Sequence, residues 1–298
     1  MKAGDVRRDL RRRAEALGLD FQQALQYYAI ERFLFRLSQT ALADKLIVKG
    51  AIMLRVWGGA ITRPTRDIDF LGRIGNSAEV IRAAIKECLA VDPEDGLAFE
   101  KTVAAEQIAI DSRYPGVRIK VRGNLDGARF VLRLDIGIDD AAVPEPGWVD
   151  YPTLLEGPAP RILAYHPATA VAEKFEAIVS LGMANSRLKD FYDLWSMATA
   201  LDFDGAELRD ALAATFARRG TALPTAIPAA LTNDFTQQDA VTKMWNAFTK
   251  KLGTSQTATP NLAEVAGMII IFIMPVAAAT AADQPFTQNW TRNTGWRS

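Results

Sequence analysis

The spacing of apolar residues changes twice along this chain, and those two changes constrain the fold more than any other feature. From Val6 to about Leu42 the period is helical, with Phe21, Leu25, Tyr28, Ile30, Phe33 and Leu37 set among charges. Leu46-Ile47-Val48 is then a short apolar run closed by Lys49-Gly50, which reads as a strand and a tight turn. Ala51 to Trp57 reads as a short helix that Gly58-Gly59 breaks. Asp67 to Leu71 alternates as a second strand, and Val80–Leu89 is a helix. Further strands are expected at Gln107–Ile110, Gly116–Val121 and Arg129–Ile138. Pro- and Gly-rich sequence from Pro144 to Pro160 marks a boundary.

Beyond it the helical period returns over Ala168–Leu181, Ser186–Ala200 and Ala206–Arg218, with linkers at Gly220–Pro228 and Gly253–Pro260. The expectation is an α+β fold: a small mixed β-sheet core with flanking N-terminal helices and a helical C-terminal domain. The domains are placed at 1–160 and 161–282. Residues 283–298 are read as a loose polar tail whose Trp290 and Trp296 are available for docking.

At 298 residues, 49% hydrophobic and 23% charged, the chain can bury a core that holds a rigid site. Its formal net charge of zero names no partner. One cysteine, Cys88, and one histidine, His166, exclude a disulfide framework and Cys- or His-rich metal chemistry. The charged start MKAGDVRRDLRRR is not followed by an apolar segment, so it is not a secretory signal. The apolar run MIIIFIMPV falls well short of the ~20 residues of a membrane span. It is expected as a buried helix ending near Pro275. No membrane association is expected, and the cytoplasm is the expected location.

The chemistry concentrates in TRPTRDIDFLG. On a strand, positions i and i+2 face the same way, so Asp67 and Asp69 hold their carboxylates side by side. Such a pair is unfavourable unless a cation sits between the two, and hard oxygen ligands suit Mg²⁺ (or Mn²⁺). The plain alternative is two solvated acids at a strand end. Asp135 lies in VLRLDIGI, apolar enough for an interior strand, where a lone carboxylate is costly. It is either a third ligand or the partner of an arginine such as Arg133 or Arg66. The strand–turn–helix at Lys49, Gly50 and Ala51 offers backbone N–H groups to a phosphate.

Further on, Ala170, Val171, Lys174, Phe175 and Ile178 share one helical stripe. Lys174 therefore sits on an inward face and reaches either a carboxylate or a triphosphate, unless it snorkels from the stripe edge. In SRLKDFYDLWSM, Asp190, Asp193, Leu194 and Met197 share a face. Asp190 either accepts a proton from an attacking hydroxyl or pins Lys174 or Arg187. Arg7, Arg8, Arg11, Arg12 and Arg13 crowd the first helical turns, as a patch for RNA or as a solvated face diluted by Asp5, Asp9 and Glu15.

LIVKGAIML, TRPTRDIDFLG, LRLDIG, EKFEAIV and RLKDFYDLW, in this order, resemble the AbiEii/AbiGii toxin family of nucleotidyltransferases, themselves similar to the DNA polymerase β-type superfamily. The resemblance covers about Phe21 to Leu201. It implies a nucleotidyltransferase core and Mg²⁺ on Asp67 and Asp69, with Asp135 as third carboxylate. It also implies nucleotide contacts by Lys174 and a catalytic or supporting Asp190. Lys49, Gly50, Ala51 and Arg66 fall in the segment expected to meet the triphosphate. The superfamily's turn usually carries Gly-Ser; here Gly50-Ala51 keeps the backbone donors and lacks the hydroxyl.

The implied function is a metal-dependent enzyme moving a nucleotide from an NTP to RNA, with the tRNA 3′ end favoured. The implied biology is the toxin of a toxin–antitoxin pair whose antitoxin is encoded nearby. The competing expectations are a protein or small-molecule acceptor, and a non-catalytic nucleotide-binding module.

Overall fold

The computed structural model describes residues 2–58, 63–75, 77–110, 114–138, 140–252, 260–292 and 294–298. Gly59, expected to help break a helix, and residues 253–259 of the second linker lie outside that set. The chain forms two compact units: Met1–Asp140 with Gly147–Ala164, and Ala141–Pro146 with Tyr165–Ser298.

The first unit opens with α1 (Ala3–Ala16) and α2 (Phe21–Ser38). The helical period from Val6 to about Leu42 resolves into these two helices. Gly18 takes a φ of 65°, which only glycine adopts cheaply, and Asp20 caps α2 by accepting from the Gln22 and Gln23 amides. There follow β1 (Leu46–Lys49), α3 (Met53–Gly58), β2 (Asp67–Gly72), α4 (Ala78–Ala90), β3 (Leu97–Phe99), β4 (Ala104–Ile110), β5 (Tyr114–Leu125), β6 (Ala128–Ile138), β7 (Gly147–Asp150) and β8 (Arg161–Ala164).

These strands make one mixed sheet in the order β3-β5-β6-β2-β1-β8-β7, with β4 also beside β5. The β2–β6 and β1–β8 pairs are parallel and the others antiparallel. Strands β3, β7 and β8 were not expected, since three or four residues are too few to show alternation. Their presence moves the boundary: the chain leaves this unit after Asp140, returns as β7 and β8, and leaves it for good after Ala164.

Over β5, β6 and the start of β2 the sheet has one buried face and one partly exposed face, whereas β1, the end of β2 and most of β8 are buried on both. Phe130, Leu132, Leu134 and Ile136 of β6, Val117, Ile119 and Val121 of β5, and Ile68 and Phe70 of β2 enter the core with α1, α2 and α4. The intervening residues, among them Asp67, Asp69, Arg118, Lys120, Arg133 and Asp135, face the other way. Helix α2 is buried nearly all round, charges included. Arg36 forks onto both oxygens of Asp95, and Arg32 Nε donates to Asp95 Oδ2 at 3.2 Å. Glu31 accepts from the Leu154 amide at 2.7 Å. Pairing is what makes such charges tolerable in a core.

The second unit contains α5 (Pro167–Leu181), α6 (Leu188–Ala200), β9 (Phe203–Asp204), α7 (Gly205–Arg219), α8 (Asn233–Thr236), α9 (Asp239–Thr249), α10 (Leu262–Ala281), β10 (Asn289–Thr291) and β11 (Gly295–Arg297). Helix α10 is long and apolar enough to cross a bilayer by length and composition. Here its face of Val265, Ile269, Phe272, Ile273 and Val276 is buried, and it packs on α6 and α7 as a core helix. It runs through Pro275 instead of ending there. The carbonyl deprived of a partner by the proline is that of Ile271, on the exposed side, where water can replace the bond.

The tail is held down. Strands β10 and β11 pair, and β10 continues onto β9. Trp290 donates to the Ala198 carbonyl at 2.8 Å and Trp296 to that of Phe272 at 2.9 Å. Two large aromatic side chains with polar handles outweigh the polarity of the residues around them.

Candidate active site

Four charged residues stand in one row across four neighbouring strands. Lys49 on β1 is the register partner of Asp69 on β2, Asp69 that of Asp135 on β6, and Asp135 that of Arg118 on β5. Register partners share a face, so two carboxylates lie side by side with a cation at each end. Arg118 grips Asp135 with two parallel hydrogen bonds, Nε to Oδ1 and Nη2 to Oδ2, both 2.8 Å. That fork pushes the Arg118 guanidinium further up its already high range. Lys49 Nζ reaches Asp140 Oδ2 at 3.1 Å.

Gly50 closes the row from below. Its φ of 77° is left-handed, and a Cβ placed there would fall on the Asp69 carboxylate. Glycine is thus required twice, by backbone and by space. The amides of Met53 and Leu54 bond back to the Gly50 and Ala51 carbonyls, so the turn rolls directly into α3.

Asp67 shares the open face with Asp69, as the alternation predicts. Its Oδ1 is buried and accepts no hydrogen bond among the described residues, and Arg133 Nη1 stands 3.8 Å from it. Arg66 is exposed, and its carbonyl accepts from Gln26 Nε2 at 3.1 Å. Gln26 also bonds the Val131 carbonyl and Gln22 that of Arg129. The two glutamines thereby satisfy the stretch of β6 that β2 does not reach.

In the second unit Lys174 bridges two buried acids, at 3.1 Å to Asp190 Oδ1 and 2.6 Å to Asp193 Oδ2. Arg187 Nε takes the other Asp190 oxygen at 2.6 Å. Burial pushes the Asp190 carboxyl up, but Lys174 and Arg187 together outweigh it and hold it below the usual carboxylate range. Asp190 thus holds both Lys174 and Arg187, the pinning contact that the sequence left open beside a catalytic one. Asp193 was seen only as a face-mate of Asp190, and its depth in the network was not legible.

The Arg118 fork replaces the Arg133 or Arg66 partner that the sequence offers Asp135. The signal existed in GVRIKVRG, whose alternation puts Arg118, Lys120 and Arg122 on one face. Among the arginines of α1, Arg8 pairs with Asp5 and Arg12 with Asp9 within the helix, and Arg7 reaches Asp126 on the β5–β6 turn. That is the arrangement of a solvated helix face.

The mixed sheet thus carries an Asp-x-Asp strand beside a third acid on the next strand. The fold is similar to a crystal structure from H. pylori described as a candidate nucleotidyltransferase, with a TM-score of 0.51 at 16% identity over 89% of this chain and 97% of that one. A second H. pylori structure, JHP933, aligns with a TM-score of 0.47 at 15% identity over 85% and 89% of the two chains. No curated protein sequence matches significantly. Residues 32–267 match the family model described as nucleotidyl transferase AbiEii toxin, type IV TA system. The chain belongs to that family and is a nucleotidyltransferase. Membership implies an NTP as substrate and an antitoxin as partner.

The family also implies a divalent cation. Asp67 and Asp69 fit one: they share a face, and Asp67 Oδ1 is an orphaned acceptor. The expected cage of three carboxylates is not assembled. Among the described residues no group of three Asp, Glu, His or Cys side chains is arranged to hold a metal ion. The physical reason is Arg118, which satisfies both oxygens of Asp135.

Proposed function

We propose that this chain is the toxin of its pair and transfers a nucleotide from an NTP to RNA, with the tRNA 3′ end as acceptor. The observation that carries transfer at this site is the row Lys49–Asp69–Asp135–Arg118, with Gly50 beneath Asp69. A hydroxyl oxygen of the acceptor bonds to the α-phosphorus, the bond from that phosphorus to the bridging oxygen breaks, and pyrophosphate leaves with the bonding pair. The hydroxyl proton passes to solvent or to an open-face carboxylate.

Asp67 and Asp69 would hold the divalent cation, with Asp135 joining them when Arg118 turns to phosphate. When bound, that ion supplies Lewis-acid stabilisation of the charge that develops at phosphorus. Lys49, the Gly50-Ala51 turn and Arg66 are assigned to the triphosphate, whose charge the two cations would neutralise. Lys174 is assigned to nucleotide contact and Asp190 to holding it. RNA as acceptor rests on the family and on the cations of the open sheet face. The cytoplasm, where NTPs and tRNA are found, is the proposed location.

Incubation of the protein with bulk tRNA, Mg²⁺ and each labelled NTP tests this. Label should enter the tRNA band and vanish with Asp69→Ala. Label in a protein band would replace the acceptor, and GTP binding with no labelled acceptor would favour a non-catalytic module.

A further inference from the structure

The open face of β5 and β6 carries more positive charge than its own acids account for. Lys120 stands directly opposite Arg133, Arg122 opposite Val131, and Asn124 opposite Arg129. Like charges facing each other across two strands are destabilising, so a Lys–Arg register pair needs an anion to justify it. Lys120 finds Glu106 at 3.2 Å and Arg133 finds Asp67 only at 3.8 Å. Arg122 and Arg129 are exposed and make no ion pair among the described residues. Val131, in the middle of the four cations, is 44% exposed. An apolar side chain among three guanidinium groups and an ammonium suits a sugar or base edge next to phosphates better than it suits water.

The face also has a direction. From Asn124 to Arg118 the outward positions of β5 cover about 20 Å of strand. Toward that end, Arg133 on β6 is the register partner of Asp67, the first of the two site acids. A polyanion laid on the cations would therefore deliver one terminus to the carboxylates.

We infer that Lys120, Arg122, Arg129 and Arg133 bind the phosphodiester backbone of the RNA acceptor's single-stranded end, with Val131 against a sugar or base, so that its terminal hydroxyl meets Asp67 and Asp69. This rests on RNA being the acceptor. It assigns the recognition surface to the sheet and not to the arginines of α1, of which Arg8 and Arg12 pair with aspartates of their own helix and Arg7 with Asp126.

The test is fluorescence anisotropy of a labelled RNA hairpin with a single-stranded 3′ end, titrated with protein at several salt concentrations. The double variant Arg122→Ser, Arg129→Ser removes two unpaired cations, and Arg82→Ser, Lys86→Ser on α4 is the control. Binding by the Arg122, Arg129 variant should weaken at least about tenfold at low salt. The slope of log affinity against log salt should flatten by about 1.4, roughly 0.7 per lost phosphate contact. The control should match wild type, and all three should bind a fluorescent GTP analogue equally. Equal RNA affinity and slope for wild type and the Arg122, Arg129 variant would overturn the surface while leaving RNA as acceptor. Wild type that binds no RNA but labels a protein would overturn the acceptor itself.

Discussion

Gly50 and Asp69 compete for the same space: a Cβ on Gly50 would land on the Asp69 carboxylate, and the Gly50 φ of 77° disfavours any side chain there. Gly50→Ala must therefore either move Asp69 or rebuild the turn. The expected result is a stability loss of about 1–3 kcal/mol, typical of backbone strain of this kind. Nucleotide transfer should fall further than that loss accounts for, since the carboxylate is displaced. Denaturant melts beside transfer assays check this, and wild-type behaviour in both would show that Asp69 has room to spare.

Arg118 holds Asp135 through both oxygens. If Asp135 belongs to the cation site, Arg118→Gln should raise Mn²⁺ affinity by about tenfold, the factor for one charge-assisted contact removed from competition. Calorimetric titration with Mn²⁺, without nucleotide, reads this directly. An unchanged affinity would leave Asp135 as an arginine partner only.

Lys174 compensates Asp190 and Asp193, both buried. Lys174→Met should cost about 3–5 kcal/mol, the usual penalty for leaving buried charge unpaired. Transfer activity by itself therefore cannot assign Lys174 to the nucleotide. The double variant Lys174→Met, Asp193→Asn should recover part of the stability. If it also recovers activity, Lys174 is structural.

Burial pushes the Glu31 carboxyl up to about 7, against the Leu154 amide and the Arg32 guanidinium, which lower it. A raised folded pKa in an acid means that the folded state holds the proton longer than the unfolded chain. Stability conferred by the protonated form is then lost as pH rises from the ordinary glutamate range to about 7, and is flat above it. Glu31→Gln keeps an acceptor for Leu154 and should remove that slope. Urea unfolding between pH 5 and pH 8 should show the wild type losing ground to the variant, and parallel curves would contradict it.

The sequence carried the long elements well because their periods are strong: β6 alternates over eleven residues, and α5, α6 and α7 keep apolar stripes. It carried Asp67 and Asp69 because side-chain alternation is local. It did not carry the pairing of strands, so Arg118 could not be matched to Asp135 nor Lys49 to Asp69. Those matches depend on strand pairing and register, which alternation within one strand does not state, even across the β5–β6 hairpin where Arg118 and Asp135 meet. The burial of charge on helix α2 was not legible for a related reason. Glu31, Arg32 and Arg36 look like a solvent face, and only Asp95 and the Leu154 amide, brought in by other segments, make their burial affordable.

The central claim is that the acids of this sheet face transfer a nucleotide to an RNA end. Mass spectrometry of the acceptor's 3′ fragment, after incubation with NTPs and Mg²⁺, tests it most directly. The fragment should gain the mass of one or more nucleoside monophosphates with wild type and none with Asp69→Asn. An unmodified RNA end in the presence of wild type, with pyrophosphate still released or label found on another acceptor, would contradict it.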